Sequence, residues 1–333
     1  MAKADEYINT QRMTSEAPNK RKLFLQNLFF LRSIFHNPVT VKELRSRMRR
    51  GKAYIIITVY LVMMSVLVGL VYLGFSSTAN NVGNSSMVQV VGKAVFGIVV
   101  GVEMMMVCFV APALTAGAIS SEREQQTYDL LRTTLLPARS LVIGKLISAL
   151  FFLLLLLVVG FPLQSLASLF GGVAVEEVLV AFLLLIVTAL AFSAIGLMIS
   201  SLMRSTLAST VISYVAAIIL VFGEPTLIGI ALSFMSMLSG LIYSSNLGSF
   251  QVQILEIILF SVGYILVAIN PLATIIASEI MLVEKQALFY TTLPMTNGGN
   301  FPIVAPWIAY VLFYGFISLV LIWLSIRLVR RSG

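Results

Sequence analysis

The chain has 333 residues, of which 59% are hydrophobic and only 11% are charged, and its mean hydropathy is +0.99. Soluble domains carry about 25% charged and about 45–50% apolar residues, so this composition excludes a soluble globular enzyme and a disordered chain. The net charge of +8 arises from 22 Lys and Arg residues against 14 Asp and Glu residues. With a single cysteine, Cys108, and a single histidine, His36, neither an intramolecular disulfide nor a Cys/His metal site is expected.

Residues 1–53 form a basic N-terminal arm in which Pro38 suits the start of a helix. Val41, Leu44 and Met48 follow at spacings i, i+3 and i+7, which places them on one apolar face. The pattern predicts an amphipathic helix over 39–50 that lies at the membrane interface, with its cations among anionic headgroups. A basic flank that only fixes the topology is the alternative. Nucleic-acid binding is not expected, because aromatic and basic residues are not interleaved.

Six later stretches are apolar enough for helices that cross a bilayer, which needs roughly 20 apolar residues. They are 54–73, 94–118, 141–170, 178–202, the shorter 207–222, and 303–326.

Two further apolar stretches lie within 226–276, and we interpret them as re-entrant or interfacial helices on the outer side. The linker 244–253 between them carries no Lys or Arg, so it is a poor cytoplasmic loop. Gly223-Glu224-Pro225 and Asn270-Pro271 are the expected breaks. Eight crossings are the alternative.

Basic residues indicate the orientation, because cytoplasmic flanks collect Lys and Arg. Residues 1–53 hold twelve of the 22, 119–145 hold four, 327–331 hold three, and Arg204 lies in a short link on the same side. Only two, Lys93 and Lys285, fall elsewhere. We therefore predict a multi-pass protein of the plasma membrane with an even number of crossings and both termini in the cytoplasm.

The connection 120–140 between the second and third crossings carries an unusual pattern. Ser121 and Glu124 have the spacing of a capping box, which satisfies free N–H groups at the start of a helix. Three apolar residues follow at helical spacing, namely Tyr128, Leu131 and Leu135. Pro137 ends the pattern. We predict a helix at about 122–136 whose apolar face docks in a groove of a partner protein. A helix that lies on the lipid headgroups is the alternative.

The chain has no P-loop, because neither Gly92-Lys93 nor Gly144-Lys145 has the upstream glycine or the following Ser or Thr. A nucleophile elbow is also absent from the sequence. We therefore expect no catalytic residue and no cofactor in this chain. Any energy input must come from another polypeptide or from an ion gradient.

Glu103 is the one carboxylate deep in a predicted crossing, where a charge costs roughly 2.5–3.5 kcal/mol on insertion scales. Gly97 and Gly101 precede it in a small-xxx-small pattern that allows helices to approach closely. The three residues are predicted to line a translocation route or a dimer seam. The alternative is a buried, hydrogen-bonded acid that only orders the packing.

Two segments carry a family resemblance. Asn37-Pro38-Val39 with Lys42-Glu43-Leu44-Arg45 resembles the start of type-2 ABC exporter permeases. The signature of these permeases between their second and third crossings is similar to Ser121-Glu122-Arg123-Glu124 through Leu130-Leu131, Thr133-Thr134, Pro137 and Gly144-Lys145-Leu146. The resemblance runs from about residue 37 to 328, although 226–299 matches only in character.

The resemblance implies a six-helix all-α transmembrane domain with an N-terminal elbow helix, a cytoplasmic coupling helix and outer re-entrant helices. Two permease subunits pair, and each binds an ABC ATPase that holds ATP and Mg. The second and fifth crossings line the dimer seam and the route. The elbow residues are Val41, Leu44, Arg45 and Met48. The ATPase-coupling residues are Glu122, Arg123, Glu124, Thr127, Tyr128, Leu131, Arg132 and Leu135.

The predicted function is export of an amphipathic or lipid-like substrate, which apolar walls rich in methionine, such as 104–106, favour. One alternative is a non-transporting subunit that relays the work of the ATPase across the membrane. Another is an ion-driven transporter, for which several intramembrane charges and inverted repeats are expected.

Overall fold

The computed structural model describes residues 38–49, 52–79, 85–126, 137–169, 172–223, 225–227, 229–230, 233–234, 236–237, 240, 249–285, 287–294 and 300–331. The helices are α1 (Pro38–Arg49), α2 (Lys52–Ala79), α3 (Ser85–Thr115), α4 (Ser120–Glu124), α5 (Ala138–Leu169), α6 (Val175–Leu202), α7 (Thr206–Ile218), α8 (Ser249–Ile269), α9 (Pro271–Lys285) and α10 (Pro306–Arg331). A π-helical turn, Ile219–Gly223, continues α7. The strands are β1 (Tyr290–Pro294) and β2 (Asn300–Val304).

Among the described residues, six helices are long and apolar enough to cross a membrane. They are α2, α3 with its continuation through α4, α5, α6, α7 and α10. Each overlaps one predicted crossing, so the all-α membrane architecture with six candidate crossings is confirmed. The start of the sixth crossing is wrong: Ile303 pairs with Thr291 in a strand, and α10 begins only at Pro306.

A sharp bend separates α8 from α9, because the segments Ile257–Ile269 and Pro271–Val283 meet at 113°. The break lies at Asn270-Pro271, as the sequence predicts. Proline cannot donate the hydrogen bond that would continue α8, and Asn270 Oδ1 accepts from the Ala273 N–H at 2.9 Å, which caps α9. The pair is a seventh span if it crosses as one broken helix, and a re-entrant loop otherwise. Residues 241–248, which include part of the predicted linker, lie outside the described residues.

An antiparallel hairpin of β1 and β2 joins α9 to α10, with Tyr290 opposite Val304 and Pro294 opposite Asn300. Trp307 Nε1 donates to the Leu288 carbonyl oxygen at 2.9 Å and fixes the hairpin to α10. Hydropathy alone did not reveal β2, because its apolar residues run directly into an apolar helix.

The centre of the bundle is formed by α3 and α6, whose buried apolar side chains belong to one large cluster. Gly196 permits their close contact: a Cβ at this position would overlap Thr115 Oγ1 and lie 3.2 Å from the Cα of Pro112. A second cluster packs α1, α5, α6 and α10 together where α3 ends, and it includes Val39, Leu146, Leu197 and Val329. We call this side of the bundle, which holds Lys145, the Lys145 end.

Candidate functional site

At the Lys145 end, α4 continues α3 after a short turn instead of starting a new helix. The Ser121 N–H bonds to the Gly117 carbonyl oxygen at 3.2 Å, and the Ser121 hydroxyl donates to the same oxygen at 2.5 Å. The predicted capping box is therefore wrong. Ser121 lies inside a continuing helix whose N–H groups are already bonded. The Glu124 carboxylate does not bond back to the Ser121 N–H but to another part of the chain.

The helix ends soon after this point. Gln126 has a φ of 58°, in the left-handed region, and α4 itself stops at Glu124. A single helix over 122–136 is thus wrong at its start, because the chain turns at 125–126. Five predicted coupling residues lie outside the described residues: Thr127, Tyr128, Leu131, Arg132 and Leu135.

Glu122 forms an ion pair with Lys145 on α5. Lys145 Nζ lies 3.0 Å from Glu122 Oε1 and 3.6 Å from Glu43 Oε1 on α1, and it also donates to the Ala118 carbonyl oxygen. Only 5% of the Lys145 side chain is exposed. A buried ammonium is stable only with such partners, so this one side chain holds α1, α5 and the end of α3 together.

Arg123 binds the C-terminus of α6. Its Nη1 donates to the Ser201 carbonyl oxygen at 2.8 Å and, more weakly, to that of Met203 at 3.5 Å. The last carbonyl groups of a helix lack helical partners and lie at the negative end of its dipole, where a guanidinium is favourable.

Glu124 binds the N-terminus of α7. Its Oε2 accepts from the Thr206 N–H at 3.0 Å and from the Thr206 hydroxyl at 2.5 Å. Thr206 is the first residue of α7, and a carboxylate there satisfies a free N–H at the positive end of the dipole. Three consecutive charges, Glu122 to Glu124, therefore bond in turn to α5, α6 and α7. We call them the charged triplet.

Serine side chains satisfy the backbone of the turn between α3 and α4. Ser200 Oγ on α6 accepts from the N–H groups of Ile119 and Ser120 at 2.9 and 3.0 Å. Ser209 Oγ on α7 donates to the Ala116 carbonyl oxygen at 2.6 Å. The sequence analysis missed these contacts, because a serine near a helix end gives no signal of its tertiary partner.

A helix, α1, is present where the elbow helix is predicted, and it packs on the bundle through Val39, Glu43 and Arg47. Its role as an elbow helix remains a prediction. Arg47 Nη2 donates to the Leu114 carbonyl oxygen at 3.0 Å. Burial lowers the pKa of the Arg47 guanidinium and the charge of Glu43 opposes that shift, so the group stays charged.

The predicted apolar stripe of α1 lies on a different side of the helix from the residues that pack on the bundle. Val41 and Arg45 are exposed and Leu44 is half-buried, while the side chain of Met48 lies outside the described residues. Contact of this stripe with lipid remains a prediction.

Glu103 lies fully buried between α2, α3 and α5. Its Oε1 accepts from the Tyr60 hydroxyl at 3.0 Å, and its Oε2 accepts from the Gln164 side-chain amide. Gly160 leaves room for it, since a Cβ there would overlap Glu103 Oε1. Both oxygens bond within the chain and none of the side chain is exposed, so the described contacts fit the buried, hydrogen-bonded acid. A place for Glu103 in a translocation route or a dimer seam remains a prediction.

Gly97 and Gly101 are not used for close helix contact within the described residues. At Gly97 a Cβ would lie 3.7 Å from a Glu279 carboxylate oxygen, and at Gly101 it would meet nothing within 4 Å. Their place in a seam or a route remains a prediction. The described residues contain no group of three or more His, Cys, Asp or Glu side chains arranged to hold a metal ion.

Comparison with known proteins gives one family. The family model described as ABC-2 type transporter matches residues 38–231, more than half of the chain. None of the curated proteins matches the chain. The matched region contains α1 to α7, and with them the charged triplet, Lys145 and the Glu103 cluster. The chain therefore belongs to the ABC-2 type transporter family and is a multi-pass transmembrane permease of an ABC transporter.

Proposed function

We propose that this permease exports an amphipathic or lipid-like substrate, driven by ATP that a separate ABC ATPase subunit hydrolyses. The observation that carries the proposal is the set of bonds made by the charged triplet. These bonds join the start of the connection 125–136 to α5, α6 and α7, and through Lys145 to α1. A force applied to this connection therefore reaches the ends of four helices at once.

The Lys145 end faces the cytoplasm in this proposal. The distribution of Lys and Arg supports it, because the N-terminal arm, the connection, Arg204 and the C-terminus carry 20 of the 22 basic residues. Both termini are then cytoplasmic in the plasma membrane, and the bent pair of α8 and α9 is re-entrant from the outer side.

The ATPase docks on residues 127–136. Tyr128, Leu131 and Leu135 supply an apolar face, and Thr127 and Arg132 flank it. The charged triplet bonds to the permease itself, so its task is to transmit force and not to contact the ATPase. ATP and Mg belong to the ATPase, since this chain carries no P-loop.

A second permease subunit packs on α7 in this proposal. This helix exposes a row of apolar side chains along its length, namely Leu207, Val211, Val215, Ile218 and Phe222. An apolar face of this kind suits either lipid or a second copy, and the fifth crossing is, with the second, one of the two that the family resemblance places at the seam. The substrate route then runs beside α7.

The test is Leu131→Asp in the complete complex, with Leu131→Met as the matched control. We expect Leu131→Asp to abolish co-purification of the ATPase and stimulated ATP hydrolysis, while membrane insertion stays normal and Leu131→Met behaves as wild type. Survival of both ATPase readouts in Leu131→Asp would contradict the coupling assignment. Transport of a labelled amphiphile into proteoliposomes tests the export role separately. ATP hydrolysis without any transport would favour the relay subunit instead.

A further inference from the structure

A groove of about 690 Å³ lies between the start of α5 and the end of α10 at the Lys145 end. Three arginines line it: Arg139 from the first turn of α5, and Arg327 and Arg330 from the last turns of α10. None of the described residues that line it is a carboxylate. The groove is therefore strongly cationic.

These arginines are not neutralised by the described part of the chain. The salt bridges found there are both made by Lys145. Arg327 lies over the ring of Trp323, with its Cζ 4.8 Å from the ring centroid, and this contact orients the guanidinium without cancelling its charge. Guanidinium groups that converge on one groove, without an ion-pair partner among the described residues, create a site for an anion, above all a phosphate, because a planar guanidinium can donate to two phosphate oxygens at once.

The rest of the groove is apolar. Leu319 and Ile322 lie deeper along α10, and Trp323 is 55% exposed beside them. The helical rise of 1.5 Å per residue places Leu319 roughly 12 Å from Arg327 along the axis. An apolar wall therefore leads into a cationic end over a distance that suits a lipid whose chain lies along α10. Tryptophan is also the residue typical of the membrane interface.

The start of α5 adds to this site. The first N–H groups of a helix lack helical partners, and α5 directs the positive end of its dipole toward the groove, which Ala138 and Arg139 line. An arginine at the first turn of a helix opposes that dipole. An anion bound between the helix start and the three guanidinium groups would neutralise both the positive end of the dipole and the charge of the arginines.

We propose that this groove is a binding site for an anionic phospholipid. Arg139, Arg327 and Arg330 hold the headgroup phosphate, and an acyl chain lies on Leu319 and Ile322. Because α10 packs on α5 and α6, the bound lipid fixes the last helix against the helix that carries Lys145. This site is independent of the proposed export function, since it concerns lipid bound by the permease alone.

The test uses the full-length permease in detergent and native mass spectrometry with phosphatidylglycerol or phosphatidylcholine of identical acyl chains. We expect saturable binding of phosphatidylglycerol in preference to phosphatidylcholine. The double variant Arg139→Gln/Arg330→Gln should weaken phosphatidylglycerol binding at least tenfold. The matched control is the double variant Arg204→Gln/Arg331→Gln, which also removes two exposed positive charges from the Lys145 end but from residues that do not line the groove, and it should change binding less than twofold. The substituted arginines are exposed, so folding should be unaffected, and unchanged thermal unfolding checks this.

Four results would overturn the proposal. Equal losses in Arg204→Gln/Arg331→Gln and Arg139→Gln/Arg330→Gln would mean that only general positive charge attracts the lipid. Equal binding of phosphatidylcholine would mean that the groove binds acyl chains without selecting an anionic headgroup. Binding of inorganic phosphate as tightly as the lipid would identify a site for free phosphate. Loss of ATPase co-purification in Arg139→Gln/Arg330→Gln, with lipid binding intact, would identify a protein-docking surface.

Discussion

Glu124 Oε2 lies 3.0 Å from the backbone nitrogen of Thr206, and this bond connects the end of α4 to the first residue of α7. The two residues are 82 positions apart in the sequence. The bond joins the connection that we assign to ATPase coupling directly to the helix that we place at the dimer seam. If the proposed docking on residues 127–136 is right, Glu124 links the docking segment to the membrane domain.

Glu124→Ala should separate coupling from docking. Without the carboxylate, the N-terminus of α7 loses its tertiary cap, so ATP-driven transport should fall several-fold, while the ATPase still binds because residues 127–136 are unchanged. The measurement is the ratio of transport to ATP hydrolysis in proteoliposomes, together with ATPase co-purification. Thr206→Val, which removes the hydroxyl donor, should act in the same direction but more weakly. Glu176→Ala, an exposed carboxylate at the start of α6, is the control. Loss of ATPase binding in Glu124→Ala would show that Glu124 docks the ATPase directly.

Lys145→Met should destabilise the permease strongly. The change leaves Glu122 and Glu43 without their cation and the Ala118 carbonyl without its donor. Breaking a buried ion pair costs about 3–5 kcal/mol, and the low end, about 3 kcal/mol, applies here because both carboxylates are partly exposed. Thermal unfolding in detergent measures the loss. Lys145→Arg should retain part of the stability. Lys93→Met, which removes a lysine at the other end of the bundle, should change the stability little. Wild-type stability of Lys145→Met would refute the central role of this side chain.

Replacement of Glu103 should distinguish packing from transport. Glu103→Gln keeps an acceptor for the Tyr60 hydroxyl and should change stability by less than about 1 kcal/mol and leave transport unchanged. Glu103→Leu leaves the Tyr60 hydroxyl and the Gln164 amide buried without acceptors, at a cost of about 1–3 kcal/mol for each group. Loss of transport in a stable Glu103→Gln variant would instead place this carboxylate on the substrate route.

Gly160→Ala provides a second test of the same cluster. A Cβ at residue 160 would overlap the Glu103 carboxylate, so we expect a destabilisation of about 1–3 kcal/mol. In the double variant Gly160→Ala/Glu103→Ala the overlap with the carboxylate disappears and the 2.5 Å contact with the end of the Tyr60 side chain remains, so the two effects should be non-additive. Simple additivity in the thermal unfolding of the three variants would show that Gly160 and Glu103 are not coupled.

Asn270 should contribute to stability and to transport through its contacts at the bend between α8 and α9. Its Oδ1 caps α9, and its Nδ2 donates to the carbonyl oxygens of Leu220 and Val221 at 3.3 and 3.2 Å. Asn270→Ala should therefore lose about 1–2 kcal/mol, as other lost N-caps do. Asn270→Asp keeps the cap but has no amide donor, so it isolates the contact with Leu220 and Val221. We expect both variants to lower transport with normal ATPase binding. Normal transport in both would exclude a role for this contact.

The helices of the bundle were predictable because hydropathy sets their number and approximate ends. Long apolar stretches between basic flanks leave few alternatives to a spanning helix. The bend at Asn270-Pro271 was predictable for an equally local reason, since proline fixes its own backbone. The hairpin was not predictable, because β2 and the start of α10 form one continuous apolar stretch.

The partners of the charged residues were not predictable. Glu122, Arg123 and Glu124 have the same sequence pattern whether they face solvent, an ATPase or the ends of α5, α6 and α7. Only the folded chain places Lys145, Ser201 and Thr206 beside them. The same limit applies to Glu103, whose burial cost predicts a partner but does not name Tyr60 or Gln164.

The π-helical turn at the end of α7 has a consequence for movement. Such a turn contains one more residue than an α-helical turn, and its carbonyl groups at Leu220 and Val221 are held by Asn270. Rewinding this turn into α-helix would rotate the chain beyond Gly223 by about 100° around the axis. Such rewinding would reshape the far side of the permease without breaking the contacts that Lys145 makes at the opposite end.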